Sequence, residues 1–340
     1  MATENQQVRL AARPEGAPEP SNFTSTTEAI PEPADGEVLV RAIYLSLDPY
    51  MRGRISDTKS YVSPTGIGDV MPGAVVGEVA ISNADGLSAG DFVEGYLGWQ
   101  THAVAKAKNL RKIDPTLAPI SSAIGVLGMP GLTAYFGLLK VGGAKAGDTV
   151  VVTAASGAVG AVVGQIARIK ECRVVGIAGS DDKVNYVTDE LRFDAGINYR
   201  TTDDLDAALK AACPNGIDVH FDNVGGEIAD TIIPRLNPFA RVAICGNISQ
   251  YNATVSDQGA RIYRHVLVNR LRIQGFIVFD FLDHYAEAYS ALGEWVSSGT
   301  IKYKEDIVEG LDNAPDAFIG LLEGKNFGKL LVQVGEDPTR

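Results

Sequence analysis

Between residues 149 and 279 the chain alternates short, wholly apolar runs with stretches of helical spacing. The runs are TVVVTAA, CRVVGIAG, AGINY, IDVHFDNVGG, RVAICGNIS and LRIQGFIVF. A strand buried on one face alternates apolar and polar residues. These do not, so they read as strands covered on both faces, the condition of a parallel sheet flanked by helices. Six such strands predict a doubly wound, Rossmann-type α/β domain. The preceding texture differs. EVLVRAIYLSL, VMPGAVVGEVAIS and DFVEGYLGWQTHAVA are β-rich and broken by Gly, Asp and Asn at turn positions. They predict a small, mostly β unit to about residue 125. Residues 1–36, rich in Pro and Glu, read as an irregular arm holding one early strand. Beyond residue 300, TIKYKEDIVEG and GKLLVQVGE return to β texture around a helix, so the tail is expected to rejoin the first unit. The expected division is 1–125 with 300–340, and 126–299.

Composition narrows the class. Of 340 residues, 45 % are apolar and 21 % charged, ordinary for a soluble globular protein. No run reaches the roughly eighteen apolar residues of a membrane span. The opening MATENQQVRLAARPEG lacks the apolar core of a signal peptide. A formal net charge of −12 argues against a nucleic-acid partner, which needs a basic footprint. It leaves an anionic ligand open, because local amides and a few lysines outweigh net charge nearby. Cys172, Cys213 and Cys245 are odd in number, far apart and set in or beside apolar blocks. They read as buried free thiols in a reducing cytoplasm.

The turn after the first run of the series reads Ala155-Ser156-Gly157-Ala158-Val159-Gly160, an A-x-G-x-x-G variant of the dinucleotide fingerprint. Gly157 would let the backbone approach a pyrophosphate, and Gly160 would let the helix pack on its strand. The helix N-terminus adds amides and a positive dipole. The other reading of the two glycines is a packing pair. Position between strand and helix, first in the βα series, favours the phosphate loop. At the end of the next strand, NAD-binding folds place an acid on the ribose hydroxyls. Here that end is Ala178-Gly179-Ser180, small and uncharged, with Lys183 a turn later. It suits the 2′-phosphate of NADP. Asp181 or Asp182 would be the acid of the opposite reading, but both fall where acids favour a helix N-terminus.

Six segments carry a resemblance: YLSLDPYMRGR (44–54), GVLGMPGLTAYFGLL (125–139), AASGAVGAVVGQIA (154–167), FDNVGGE (221–227), ICGNISQYN (244–252) and GKNFGK (324–329). In this order they resemble the zinc-independent medium-chain dehydrogenase/reductases, especially the NADPH-dependent alkenal double-bond reductases, prostaglandin reductases and bacterial curcumin reductases. The resemblance implies a GroES-like β domain beside the nucleotide domain. Zinc-dependent relatives carry ligands where this chain has Leu45 and Gly73. His102, His220, His265 and His284 lack ligand spacing. No metal is expected.

Without a metal to hold an alkoxide, the remaining reaction is hydride addition to a polarised C=C. The cofactor carries the hard step, and the protein orients the alkene and stabilises an enolate oxygen. Tyr251 is the candidate donor to that oxygen, since a neutral phenol donates at working pH. The resemblance implies substrate contacts at Tyr50, Tyr61 and Met129. It implies cofactor contacts at Thr133, Ser156, Gly157, Ala158, Val159, Gly160, Ser180, Lys183, Tyr199 and Asn223. Further cofactor contacts are implied at Cys245, Gly246, Ile248, Ser249, Tyr251, Phe276, Ile277, Val278 and Asn326. Asp48-Pro49 reads as a turn device. SDTKSY, around Tyr61, looks more bacterial than mammalian. Relatives dimerise through the sixth strand, here LRIQGFIVF, so a homodimer is expected. A zinc-free NADPH quinone reductase and a non-catalytic NADPH-binding sensor or structural protein remain as rival readings.

Overall fold

The computed structural model describes residues 4–255 and 257–340, and the chain divides into two compact units. One runs to Gly125 and adds Glu305–Asn326 and Leu330–Arg340. The other comprises Val126–Lys304 and Phe327–Lys329.

The second unit is built on strands β1 (Thr149–Thr153), β2 (Arg173–Ala178), β3 (Ala195–Asn198), β4 (Ile217–Asp222), β5 (Leu236–Ile244) and β6 (Arg272–Gly275). They lie in the order β3-β2-β1-β4-β5-β6, and every adjacent pair is parallel. Chain order reverses between β1 and β4, so their carboxyl ends flank the switch point where such sheets bind ligands. Burial explains the unbroken apolar runs. Val150 and Val152 of β1 join a core with Val162, Val163 and Ile166 of one flanking layer. Val151, between them, joins another with Val175, Leu209 and Ile232. Strand β1 therefore buries both faces, and an unpartnered polar side chain at Val150, Val151 or Val152 would be costly.

The sixth run departs from expectation. Only Arg272–Gly275 is strand, and Val278–His284 forms short 3-10 turns. Asp280 turns the chain: its carboxylate accepts from the Ile277 amide at 3.0 Å, while its own amide donates to the Ile277 carbonyl at 2.9 Å. Phe276 leaves the strand direction to pack edge-on against Phe221, ring centroids 6.2 Å apart.

The first unit is a seven-stranded sheet, mostly antiparallel, in which Glu37–Ser46 pairs with Ala74–Ser82, His102–Lys106 and Lys329–Gln333. Its core gathers Leu45, Val75, Trp99 and Phe318. The N-terminal arm holds two strands rather than one: Glu4–Leu10 pairs antiparallel with Phe23–Ala29. Val8 and Leu10 are fully buried, and Phe23 stacks on Trp99 at 5.9 Å. That burial orders an arm whose prolines fall outside its strands, Pro14, Pro18 and Pro20 between them and Pro31 and Pro33 after the second.

Candidate functional site

At the end of β1 the chain enters the turn through Ala154, whose φ of 51° is left-handed. The Gly157 amide donates to the Ala154 carbonyl at 2.9 Å, and the Ala161 amide donates to Gly157 at 3.0 Å, starting the helix Gly160–Ile169 (α1). A Cβ on Gly160 would stand 2.3 Å from the Ala154 carbonyl oxygen and 3.0 Å from Ala155 Cα. Glycine there is a packing requirement. At Gly157 the nearest atom to a Cβ would be the Ala154 carbonyl oxygen at 3.2 Å, a close contact that a shift of a few tenths of an ångström relieves, so packing demands glycine far less there than at Gly160. Ala155 replaces the first glycine of the motif because β2 carries Gly176 opposite it, where a Cβ would meet Ala155 Cβ at 2.8 Å. The amides of Ala158, Val159 and Gly160 precede the first helical hydrogen bond, and together with the helix dipole they suit an anion. Ser156 is buried beneath them.

At the end of β2, Ser180 caps the short helix Asp181–Asn185 by accepting from the Lys183 amide at 3.3 Å. Tyr199 and Arg200 border Gly179 from the end of β3, where a Cβ would stand 3.2 Å from Tyr199 Cε1 and 3.4 Å from Arg200 Nε. Arg200 Nε donates to the Tyr199 hydroxyl at 3.3 Å. Ser180, Lys183, Tyr199 and Arg200 thus belong to one strand-end neighbourhood. Arg200 was not singled out in the sequence. Its adjacency to Tyr199 was the available signal. Asp181, the acid that would favour an unphosphorylated ribose, accepts from Asn198 Nδ2 at 2.7 Å.

Across the switch point, Asp222 at the end of β4 ties three loops together. Its Oδ1 accepts from Thr153 Oγ1 at 3.1 Å and from the Val224 and Gly225 amides at 2.9 Å each. Thr153 Oγ1 also accepts from the Asn223 amide at 2.8 Å, and Asn223 Nδ2 donates to the Thr153 carbonyl at 2.7 Å. The Asp222 carbonyl accepts from the Cys245 and Gly246 amides at 2.8 and 3.1 Å. Burial by itself raises the Asp222 carboxyl, but the His220 ring, 3.6 Å from Oδ2, and the Gly225 and Val224 amides overcome it. The carboxyl sits at about 2. This hub positions the segment from Cys245 to Tyr251. Ser249 Oγ donates to the Val224 carbonyl at 2.7 Å, and the Ile248 amide donates to Asn223 at 3.3 Å. Tyr251, half-buried, directs its hydroxyl over Gly246, where a Cβ would lie 3.4 Å from it. Burial pushes the Cys245 thiol up to about 12, with the Asp222 charge adding to it, so Cys245 is no nucleophile at neutral pH.

Thr133 and Met129 share the helix Met129–Phe136. Thr133 Oγ1 donates to the Met129 carbonyl at 2.7 Å, a bond within the helix. Phe276 packs over Gly137, where a Cβ would meet its ring at 2.3 Å. Ile277 is half-buried and Val278 buried beside it. Asn326, half-buried, ends a segment of the first unit just before Phe327.

In the first unit Tyr50 lies in the turn after Glu37–Ser46, and its hydroxyl donates to the Tyr96 hydroxyl at 3.5 Å. Burial, then the charge of Asp48 and the phenols of Tyr96 and Tyr61, raise the Tyr50 hydroxyl far above the ordinary tyrosine range. It stays a donor throughout the working pH range. Asp48 is buried and accepts from Ser46 Oγ. Tyr96 was missed in the sequence because it is 46 residues from Tyr50 and sits at the end of its own strand, Phe92–Tyr96. Leu45 is fully buried, and a Cβ on Gly73 would stand 2.7 Å from Leu45 Cδ1 and 3.1 Å from the Trp99 ring. Among the described residues, no group of three or more His, Cys, Asp or Glu is placed to hold a metal ion.

A glycine-containing turn from strand to helix at the switch point of a six-stranded parallel sheet, joined in one chain to a mostly β unit, is the architecture of a two-domain dehydrogenase or reductase. The family comparisons agree. A model described as the N-terminal domain of oxidoreductase matches residues 6–113, and one described as zinc-binding dehydrogenase matches residues 158–298. The NADPH-dependent curcumin reductase of Escherichia coli is 46 % identical over 338 residues, 98 % of each chain. Prostaglandin reductase 1 of Rattus norvegicus is 45 % identical over 323 residues, 94 % of this chain and 96 % of its own. A solved structure of CurA in complex with NADPH from Vibrio vulnificus superposes with a TM-score of 0.93 at 48 % identity, covering 98 % of this chain and 100 % of that one. The protein belongs to the medium-chain dehydrogenase/reductase family.

Proposed function

We propose that the protein is an NADPH-dependent reductase that saturates the C=C bond of α,β-unsaturated ketones and aldehydes. The observation that carries the choice of nicotinamide is the end of β2, where the one acid nearest the capping serine is engaged by Asn198 and Lys183 and Arg200 supply the charge. The residues fit the cofactor. Ser156 to Gly160 would hold the pyrophosphate through main-chain amides, while Ser180, Lys183, Tyr199 and Arg200 would hold the 2′-phosphate. Asn223, the run from Cys245 to Tyr251 and the run from Phe276 to Val278 would line the nicotinamide side, with Thr133 and Asn326. Bound NADPH supplies a hydride. Tyr251 donates a hydrogen bond to the carbonyl oxygen, where negative charge develops as the alkene is reduced, a proton drawn ultimately from water completes the α-carbon, and Tyr50, Tyr61 and Met129 hold the substrate.

The reading includes no catalytic zinc. The positions matching the family's ligands are filled with hydrocarbon: Leu45 has no donor atom, and a side chain at 73 has no room beside Leu45 and Trp99. It also includes a homodimer. Strand β6 ends the sheet, and the nearby helix Tyr263–Asn269 leaves Tyr263 84 % and Leu267 78 % exposed. An edge strand and a helix with exposed apolar side chains suit a second copy. A cytoplasmic location is consistent with three free cysteines. Among the described residues no helix is long and apolar enough to cross a membrane.

The test is NADPH and NADH consumption against a linear enal, an aryl enone and a simple quinone, with products checked for a saturated C=C and an intact carbonyl. NADPH-selective saturation is expected. Tyr251→Phe is expected to lower kcat about a hundredfold, the size of one donor to a developing oxyanion, with NADPH affinity kept. Quinone turnover without C=C saturation would make the protein a quinone reductase. Tight NADPH binding with no turnover would make it a sensor.

A further inference from the structure

One amide side chain at the end of β3 touches both halves of the strand-end pocket. Asn198 is buried, and both of its polar atoms are engaged. Nδ2 donates to Asp181 Oδ1 at 2.7 Å, and Oδ1 accepts from the Arg200 amide at 3.1 Å. Its main-chain carbonyl accepts from the Thr202 amide at 3.1 Å, so the same residue opens the turn that carries Arg200. The guanidinium of Arg200 then lies 5.8 Å from the Tyr199 ring centroid. The chain therefore keeps an acid and a cation at the same strand ends, with opposite preferences for the ligand. A carboxylate accepts from ribose hydroxyls and repels a phosphate, whereas a guanidinium attracts the phosphate and gains little from hydroxyls.

We propose that Asn198 is a specificity-determining positioning residue. By holding Asp181 through its NH2 group and Arg200 through its carbonyl oxygen, it makes the strand end select a phosphorylated ribose. The inference rests on the reading of the second unit as an NADPH site. The geometry explains why an acid can stand next to the capping serine without turning the pocket toward NAD: its carboxylate is held by a neighbouring strand.

The experiment is calorimetric titration of the full-length protein with 2′,5′-ADP and with 5′-AMP, which differ only by the 2′-phosphate. Wild type is expected to prefer 2′,5′-ADP. Equal binding of the two probes would remove the NADPH reading itself. Given that preference, Asn198→Asp places a carboxylate against Asp181 where the NH2 donor stood. It is expected to weaken 2′,5′-ADP about tenfold, the size of one charge-assisted hydrogen bond, with 5′-AMP changed far less. The reciprocal exchange, Asn198→Asp with Asp181→Asn, restores an amide–carboxylate pair at unchanged net charge and is expected to recover most of the lost affinity. Circular dichroism and the thermal midpoint verify that each variant folds. Should Asn198→Asp alone not fold, the folded double variant is compared with Asp181→Asn alone and is expected to match wild type in its preference. Loss of affinity for both probes alike in Asn198→Asp, or a folded double variant that keeps the single variant's defect or lacks wild-type preference, would overturn the role assigned to Asn198.

Discussion

Two glycines three residues apart should fail in different ways. Alanine at Gly160 puts a Cβ 2.3 Å from the Ala154 carbonyl oxygen, about 1 Å inside ordinary contact, and both partners are backbone. The loop or α1 must move, and overpacking of this kind costs about 1–3 kcal/mol. Alanine at Gly157 meets nothing closer than 3.2 Å, and φ there is not left-handed. Its stability should stay within about 0.5 kcal/mol of wild type. Its methyl, however, fills the space over the loop where the backbone would meet a pyrophosphate. The assay pairs urea unfolding with NADPH titration for both variants. Gly160→Ala should lose stability and, through the displaced amides, affinity. Gly157→Ala should lose affinity, about tenfold or more, with its unfolding midpoint nearly unchanged. Wild-type NADPH affinity in Gly157→Ala would refute the assignment of this turn as the phosphate loop, and a large stability loss there would refute the steric reasoning.

Asp222 predicts an acid dependence. Its carboxyl is depressed from 3.8 to about 2, so it stabilises the fold above pH 4 and that contribution disappears as pH falls through 2. The shift corresponds to about 2 kcal/mol. Asp222→Asn should cost at least that much at pH 7, and the difference from wild type in denaturant unfolding should shrink toward pH 2; an unchanged difference would contradict it. Leu267→Asp, on the exposed helix face, should convert a dimer to a monomer in sedimentation analysis while leaving the thermal midpoint of the isolated fold little changed. A wild type that is already monomeric would dismiss the second-copy assignment.

The parallel sheet was legible because β1 and its neighbours bury both faces, and that demand writes itself as unbroken apolar runs. The tight turn into α1 was legible because Gly160 answers a local constraint, a helix pressed on the loop before it. What the sequence did not reveal depends on contacts between distant segments. Tyr96 reaches Tyr50 only through the sheet of the first unit. Asn198 and Asp181 are 17 residues apart, and nothing in either position alone says that one restrains the other. The sixth run misled because its apolar residues serve two purposes: Ile273 pairs in the sheet, whereas Phe276 and Val278 fill the core after the chain has turned at Asp280.

The contact between Ala155 and Gly176 has a consequence for lineages that share this loop. The room usually provided by the first glycine of the motif is here provided by the adjacent strand, so the two positions form a compensating pair across 21 residues of sequence. A methyl fits at 155 while 176 stays glycine. With methyls at both, the two carbons meet at 2.8 Å. Reversing the arrangement relieves that clash but leaves the edge of Phe193 at 3.0 Å from the new methyl, so the aromatic must move as well. Substitution at 176 is therefore conditional on 155 and on 193. A search that demands glycine at the first motif position would pass over this chain, which has moved the requirement to the next strand.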